Sequence, residues 1–407
     1  MELHSGLPYW LIKNPLYDYF NPLKKNLNVD IVIIGAGITG ALVAHELCKA
    51  GLKCCVVDKR SIATGSSAAS TALLQYEIDT PLCKMIDKIG EKPAVTAYKS
   101  CLKSISDLEQ VFKETHVASD FERVPSIFYA SDKRGITLIE KEYKVRKKYG
   151  LPTELLDSHE LFRNCRFEAP CALINKESAQ IDAYKAATGL LRHHMQESKL
   201  EVFTHTEIIR WRRHADGYEL ATDNDYVIDC RYVVIAAGFE AGPFLPKEVM
   251  QLTSTYVILS HPVDPRYLWP EHSLIWETSQ PYLYIRTTTG NRIIIGGEDE
   301  ELNDPVHRDA LMRDKIQKLE EKFMKLFPHF TFTTEMAWCG TFCTTPDGLP
   351  FIGTWPGKER MYFALGYGGN GITFSMIAAQ IIKNCLKNIK DERMEVFGFQ
   401  RIEEQEQ

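Results

Sequence analysis

The strongest constraint on this chain lies at residues 29–58. Val29-Asp30-Ile31-Val32-Ile33-Ile34 is a short, β-branched apolar run that passes directly into Gly35-Ala36-Gly37-Ile38-Thr39-Gly40. A strand buried on both faces needs such an unbroken run, and a GxGxxG turn directly after it opens a β-α-β unit. The next stretch, ALVAHELCKAG, spaces Leu42, His45, Glu46 and Lys49 helically against an apolar face and closes at Gly51, a C-terminal cap. Leu52 to Asp58 then forms a second buried strand that ends on an acid. Each part has a physical role in a dinucleotide site. Gly35 permits the tight turn, Gly37 lets the backbone approach a pyrophosphate, and Gly40 lets the helix pack on the strand. The helix N-terminus offers N–H groups and a positive dipole to the anion. Asp58 stands eighteen residues past Gly40, close to the ~20 expected for the acid that accepts ribose hydroxyls. An acid at that place disfavours a 2′-phosphate, and hence NADP.

Three later stretches belong with this unit. Gly65-Ser66-Ser67-Ala68-Ala69-Ser70-Thr71-Ala72 brings small hydroxyl residues that could line a pyrophosphate and then a ring system. Arg231 to Gly238 is another buried strand, ending in Ala236-Ala237-Gly238. Asp347-Gly348-Leu349-Pro350-Phe351-Ile352-Gly353 precedes the strand MYFALG, after which Gly366-Tyr367-Gly368-Gly369-Asn370-Gly371-Ile372-Thr373 opens a second helix. Such a glycine-rich helix N-terminus suits the electron-rich edge of a reduced flavin, because its dipole stabilises negative charge.

In this order the motifs resemble the D-amino-acid oxidase superfamily of flavoproteins, which contains glycine oxidase and the sarcosine oxidases. GAGITG with Asp58, GSSAAST, AQIDAYKAATGLL, VVIAAG and TTPDGLPFIG…GYGGNGITFS carry the resemblance over residues 30 to 382. It implies an α/β fold: a Rossmann-like FAD domain built from discontinuous segments, with an α+β substrate domain whose sheet is mostly antiparallel. The expected division is 28–85, 152–242 and 337–395 for FAD and 86–151 with 243–336 for substrate. Residues 1–27 form an N-terminal extension and 396–407 a tail, whose end, RIEEQEQ, is expected to be solvated. Cofactor contacts are expected from Gly35, Ala36, Gly37, Ile38, Thr39, Gly40, Asp58, Lys59, Arg60, Ser66, Ser67, Ser70, Thr71 and Ala72. Later in the chain they are expected from Ala237, Gly238, Gly340, Asp347, Gly348, Gly368, Gly369, Asn370, Gly371, Ile372 and Thr373.

The chemistry that the resemblance implies is hydride transfer from the carbon–nitrogen bond of a small amine or amino acid to FAD, with O2 or another acceptor taking the electrons. The alternatives are a hydroxy acid or polyol as donor, or a flavoprotein subunit that needs a partner. Period-2 alternation in Pro281 to Arg286 sets Tyr282, Tyr284 and Arg286 on one strand face. That face reads either as a pocket wall whose Arg286 meets a substrate carboxylate, or as an edge strand with Arg286 paired to an acid such as Glu298. Gln75 is a further candidate contact; Trp276 reads as core, and Glu77 as a helix cap. The cations with which sarcosine and glycine oxidases hold a carboxylate match Gln75, Phe342, Gly369 and Thr373 here, none of them cationic. The cysteine that sarcosine oxidases link to flavin matches Gly340, one residue past Cys339, which implies noncovalent FAD. Their oxygen-activating lysine matches Ile294.

Composition narrows the field. The chain has 407 residues, 44% of them hydrophobic and 25% charged, and its net charge of -6 is dispersed. Two globular domains are expected, and no basic stripe is present to bind nucleic acid. Pro8, Pro15 and Pro22 interrupt any export-signal pattern, and no run of roughly 18 apolar residues could span a membrane. A cytoplasmic protein is therefore expected. The eleven cysteines are scattered and expected to be reduced and buried, without ligand spacing for a metal. His193-His194 are expected to be surface residues, since adjacent helix positions point apart.

Overall fold

The computed structural model describes residues 2–14, 20–197, 199–301 and 304–402. Its centre is a parallel sheet in the order Leu200–Phe203, Cys54–Val57, Leu27–Ile34, Val227–Ile235. Alternation along these strands feeds two separate cores. Ile31, Ile33, Cys54, Val56 and Val234 point into a helical layer, while Val32, Ile34, Cys55, Val57, Val233 and Ile235 point to the opposite face. That two-sided burial is why the segment reads as a continuous apolar run. The last residues of Val227–Ile235 also pair in parallel with Met361–Leu365. Its first residues instead join the antiparallel hairpin Ile208–Arg213 and Tyr218–Thr222, which turns at Asp216-Gly217.

The helix Ile38–Lys49 is sandwiched between Ala183–Gln196 and Gly371–Leu386. It is buried nearly all round, so His45 and Glu46 are internal, while Lys49 at its end is exposed. Glu46 accepts from Lys383 at 2.8 Å, and the His45 and His194 rings meet at 3.0 Å between Nδ1 and Nε2. His194 is thus a buried residue, not a surface one. The cysteines are free thiols, most of them buried.

A nine-stranded sheet forms the second layer; it is antiparallel except where Leu274–Glu277 runs parallel to Ser126–Tyr129. Alternation again divides it. Tyr256, Ile258, Ile293 and Ile295 pack with Leu319 and Phe323 of the helix Pro305–Leu326, whereas Val257, Leu259 and Ile294 join the core that holds Ile31, Ile33 and Val234. Two strands that the sequence assigns to the FAD segments, Glu154–Asp157 and Cys171–Asn175, lie at one edge of this sheet. The N-terminal extension is built into the other edge: His4–Gly6 pairs with Thr334–Thr344, and the helix Tyr9–Lys13 buries Trp10. At the opposite terminus Arg401 is buried against Asp347 at 2.9 Å, so the chain is packed, not solvated, to at least there. Residues 403–407 lie outside the described set.

A buried ionic cluster joins the helical layers. Arg146 donates from Nε to Glu142 at 2.7 Å and from Nη1 to Glu77 at 3.2 Å, and none of the three side chains is more than 1% exposed. Glu142 accepts the Leu82 and Cys83 N–H groups, both at 2.9 Å. The cap of the helix Leu82–Ile89 is therefore Glu142, and Glu77 is an ion-pair partner instead. Removing one partner of such a pair leaves buried charge uncompensated. Arg146→Ala should lower unfolding free energy by ~3–5 kcal/mol, measured by urea unfolding; a loss under ~1 kcal/mol would show that the cluster adds little.

Candidate active site

The C-terminal ends of the parallel strands open on a cavity of about 740 Å³, within the ~300–1,000 Å³ typical of ligand and cofactor sites. Two helices point their N-termini at it. At the first, Gly40 could carry no side chain, because a Cβ would overlap the Gly35 carbonyl; Gly35 itself sits at φ +115° against the Ala236 carbonyl. The Ile38 N–H is held by Ser67 Oγ at 2.9 Å. At the second, Asn370 caps nothing with its side chain and instead donates to the carbonyls of Gln75 and Glu77, both at 2.9 Å. Neither helix has an acid in its first turn. Thr39 Oγ1 and Ser375 Oγ lie 2.8 Å apart and tie the two termini together.

Of the expected cofactor contacts, Gly35, Gly37, Ile38, Thr39, Asp58, Lys59, Arg60, Ser66, Ser67, Ser70, Thr71 and Ala72 line this cavity. So do Ala237, Gly238, Gly340, Gly368, Gly369, Asn370, Gly371 and Ile372. Ala36, Gly40, Asp347, Gly348 and Thr373 do not line it. Asp347 instead orders its own turn by accepting from Leu349 N–H at 3.0 Å, and Thr373 Oγ1 donates to the Asn370 carbonyl at 2.8 Å. Asp58 accepts from the Ala36 and Arg60 N–H groups, each at 2.7 Å, and burial raises its carboxyl above the usual range. Beside it Glu240 bridges Arg60 and Lys59 at 2.7 and 3.0 Å. Burial opposes the charge on Glu240, but hydrogen bonds from Arg60 and Lys59 hold it down to about 2. Leu3, from the N-terminal segment, also lines the cavity.

The far end is built from the nine-stranded sheet and the 75–79 segment. Gln75, Tyr282 and Tyr284 are there, joined by Asp79, Asp299, Thr255, Trp276 and Phe342, which sequence reasoning left out of the site. Trp276 stacks on Phe128 at 3.9 Å, and its Nε1 shares Ser126 Oγ with the Gln75 amide at 3.2 and 2.8 Å. Asp79 accepts from Gly369 N–H at 2.8 Å and from the Tyr282 hydroxyl at 3.2 Å, and burial raises its pKa. Burial likewise pushes Asp299 up to about 6. The signal for these acids was weak: Asp79 reads as a turn residue before Thr80-Pro81, and Asp299 as one of several acids after a strand.

Arg286 is not among the cavity-lining residues. Its Nη1 donates to the carbonyls of Thr71, Ala72 and Ile181 at 2.8, 3.0 and 2.9 Å, and its Nε to that of Thr287 at 3.0 Å. Trp10 lies under the guanidinium at 5.4 Å, and burial pushes the group's pKa down to about 10. Glu298, the acid considered as its partner, pairs with Lys322 and Lys315 at 2.5 and 3.6 Å. Arg286 therefore clamps the loop that follows the short helix Ser66–Ala69, because alternation along a strand fixes the face of a side chain but not how far along that face the cavity reaches. His193, His194 and Glu197 bring potential ligand atoms within 4.8 Å of one another, away from the cavity. No helix among the described residues is long and apolar enough to cross a membrane.

Arg286→Ala should destabilise the protein by ~3 kcal/mol, since several buried carbonyls lose their donor. Arg286→Lys should recover only part, because a point charge cannot span four acceptors. Unchanged urea midpoints together with lost carboxylate binding would return Arg286 to a substrate role.

Comparison with known proteins agrees with this geometry. The fold superposes on the crystal structure of glycine oxidase from Geobacillus kaustophilus with a TM-score of 0.77, at 19% identity over 92% of this chain and 99% of that one. The Escherichia coli gamma-glutamylputrescine oxidoreductase is 22% identical over 98% of this chain and 92% of its own length. A Bacillus subtilis protein named for a Rieske 2Fe-2S iron–sulfur centre is 21% identical over 97% of this chain and 75% of its own. Residues 30–384 match the DAO family, FAD-dependent oxidoreductases, and the chain is a member of that family.

Proposed function

We propose that this flavoprotein oxidises the carbon–nitrogen bond of a small amine or amino acid. The observation that carries this reading is the far end of the cavity, where Tyr282, Tyr284 and Trp276 enclose a space beside Asp79, whose carboxylate is bonded to the Gly369 N–H of the late glycine loop. Names of relatives support it: one acts on gamma-glutamylputrescine and others are glycine oxidases.

The residues fit FAD. Two helix N-termini without acids suit its pyrophosphate and the electron-rich edge of the ring, and Asp58 suits the ribose. When bound, FAD supplies the hydride acceptor. This chain's residues do the rest: the aromatic walls orient the donor and exclude water, and a carboxylate can take the ammonium proton that must leave before a C–N bond is oxidised. Attachment is noncovalent in this reading. Cys339 is buried in the core on the other side of the sheet, where burial pushes its thiol up to about 12.

Purified protein should be yellow, with one FAD per chain that denaturation releases; a colourless protein that binds NAD would refute this. Asp58→Ala should weaken FAD retention by ~1–3 kcal/mol, the loss of a charged hydrogen bond. Retention measured by dialysis that matched the unmodified protein would exclude Asp58 as the ribose acceptor. Anaerobic bleaching of the flavin by an amine or amino acid, and not by hydroxy acids or polyols, tests the bond that is oxidised.

A further inference from the structure

We infer that the far end of the cavity takes a cationic amine that carries no carboxylate, with Asp79 and Asp299 as its counter-charges; this rests on the C–N reading above. The first ground is the distribution of charge. Lys59 and Arg60 are the cations among the cavity's described lining residues, and both sit beside Asp58 and are paired with Glu240. The far end carries Glu77, Asp79 and Asp299 instead; of these Glu77 is ion-paired, with Arg146, while Lys315 acts on Asp299 only from outside the cavity lining. Arg286, the nearest candidate on the same strand face, spends its guanidinium on backbone carbonyls. A substrate carboxylate would therefore meet two like charges and no cation, a desolvated arrangement that costs several kcal/mol.

The second ground is an unused acceptor. Asp299 Oδ1 is shielded from solvent and has no hydrogen-bond partner, although its residue lines the cavity. Thr255 reaches the carboxyl and also bonds the Tyr284 hydroxyl at 3.2 Å. Asp79 is close enough to raise Asp299 electrostatically. Lys315 is the cation that acts on Asp299 from outside, and it is already shared by Glu300 and Glu298. A ligand ammonium in the cavity would offset the repulsion that Asp79 exerts on Asp299. Around it the rings of Tyr282 and Tyr284, 5.7 Å apart, and Trp276 supply the aromatic surface that a cation favours.

The pH dependence follows from what surrounds Asp299: Asp79, Glu298, Lys315, Tyr282, Tyr284 and Cys339. With its carboxyl held up at about 6, Asp299 is ionised above that pH and neutral below it. Cation affinity should be full above pH 7 and fall toward about tenfold per unit below pH 6.

The test is anaerobic titration of the FAD-bound protein with benzylammonium and with benzoate, read by the flavin absorbance shift, and bleaching by benzylamine against phenylglycine. Benzylammonium should bind at least about tenfold more tightly than benzoate. Asp299→Asn should weaken benzylammonium by about tenfold or more and abolish the step near pH 6, while benzoate binds no more weakly. A merely structural role would weaken both probes. If the variant does not fold, the pH profile of the unmodified protein decides. Tighter benzoate binding, binding of neither probe at millimolar concentration, or a flat pH profile overturns the inference. Bleaching by phenylglycine but not benzylamine sinks it and leaves the C–N reading intact; bleaching only by a hydroxy acid or polyol sinks the C–N reading itself.

Discussion

Everything at the site depends on bringing two helix N-termini to one edge of a parallel sheet. The 2.8 Å contact between Thr39 and Ser375 spans 336 residues of sequence and sets two positive dipole ends over the same cavity. Parallel strands make this possible, because each right-handed crossover returns a helix start to the same edge of the sheet. Close packing at that edge demands residues without side chains. A Cβ at Gly35 or Gly40 would strike backbone, so neither position tolerates substitution without moving a strand or a helix.

Around that edge the protein stabilises its loops with buried charge. Arg286 holds the loop at Thr71 and Ala72, Arg401 meets Asp347 in the turn before Gly353, and Arg146 joins Glu77 to the cap of the next helix. Each cation serves backbone or acid within the frame. The chain's N-terminal segment works in the same way, with Trp10 donating to the Ser70 carbonyl at 2.6 Å and lying beneath Arg286. What looks like an extension is thus part of the wall that shapes the loop 70–72.

Using the cations structurally leaves the two ends of the cavity with different character. Near Asp58 the charges are mixed and neutralise one another through Glu240. Near Tyr282 they are anionic, with a carboxylate oxygen left unpartnered. In the proposed reading, a fold shared with many flavoproteins sets where cofactor and donor meet, and the charge at the far end selects the donor.

The local units were legible in the residues themselves. GAGITG with its flanking strands, Asp58 and GYGGNG all rest on interactions within about 30 residues, where apolar period and glycine chemistry act directly on the backbone. Most of the residues they single out line the same cavity. At the far end only Gln75, Tyr282 and Tyr284 were legible; Asp79, Thr255, Trp276, Asp299 and Phe342 come from separate segments and share no local signal with them. Tyr282, Tyr284 and Arg286 alternate correctly on one face, yet only the approach of Thr71, Ala72, Ile181 and Trp10 decides that Arg286 meets carbonyls while the tyrosines meet the cavity. Periodicity determines which way a side chain points; what it meets there is set by segments distant in the chain, and so by tertiary structure alone.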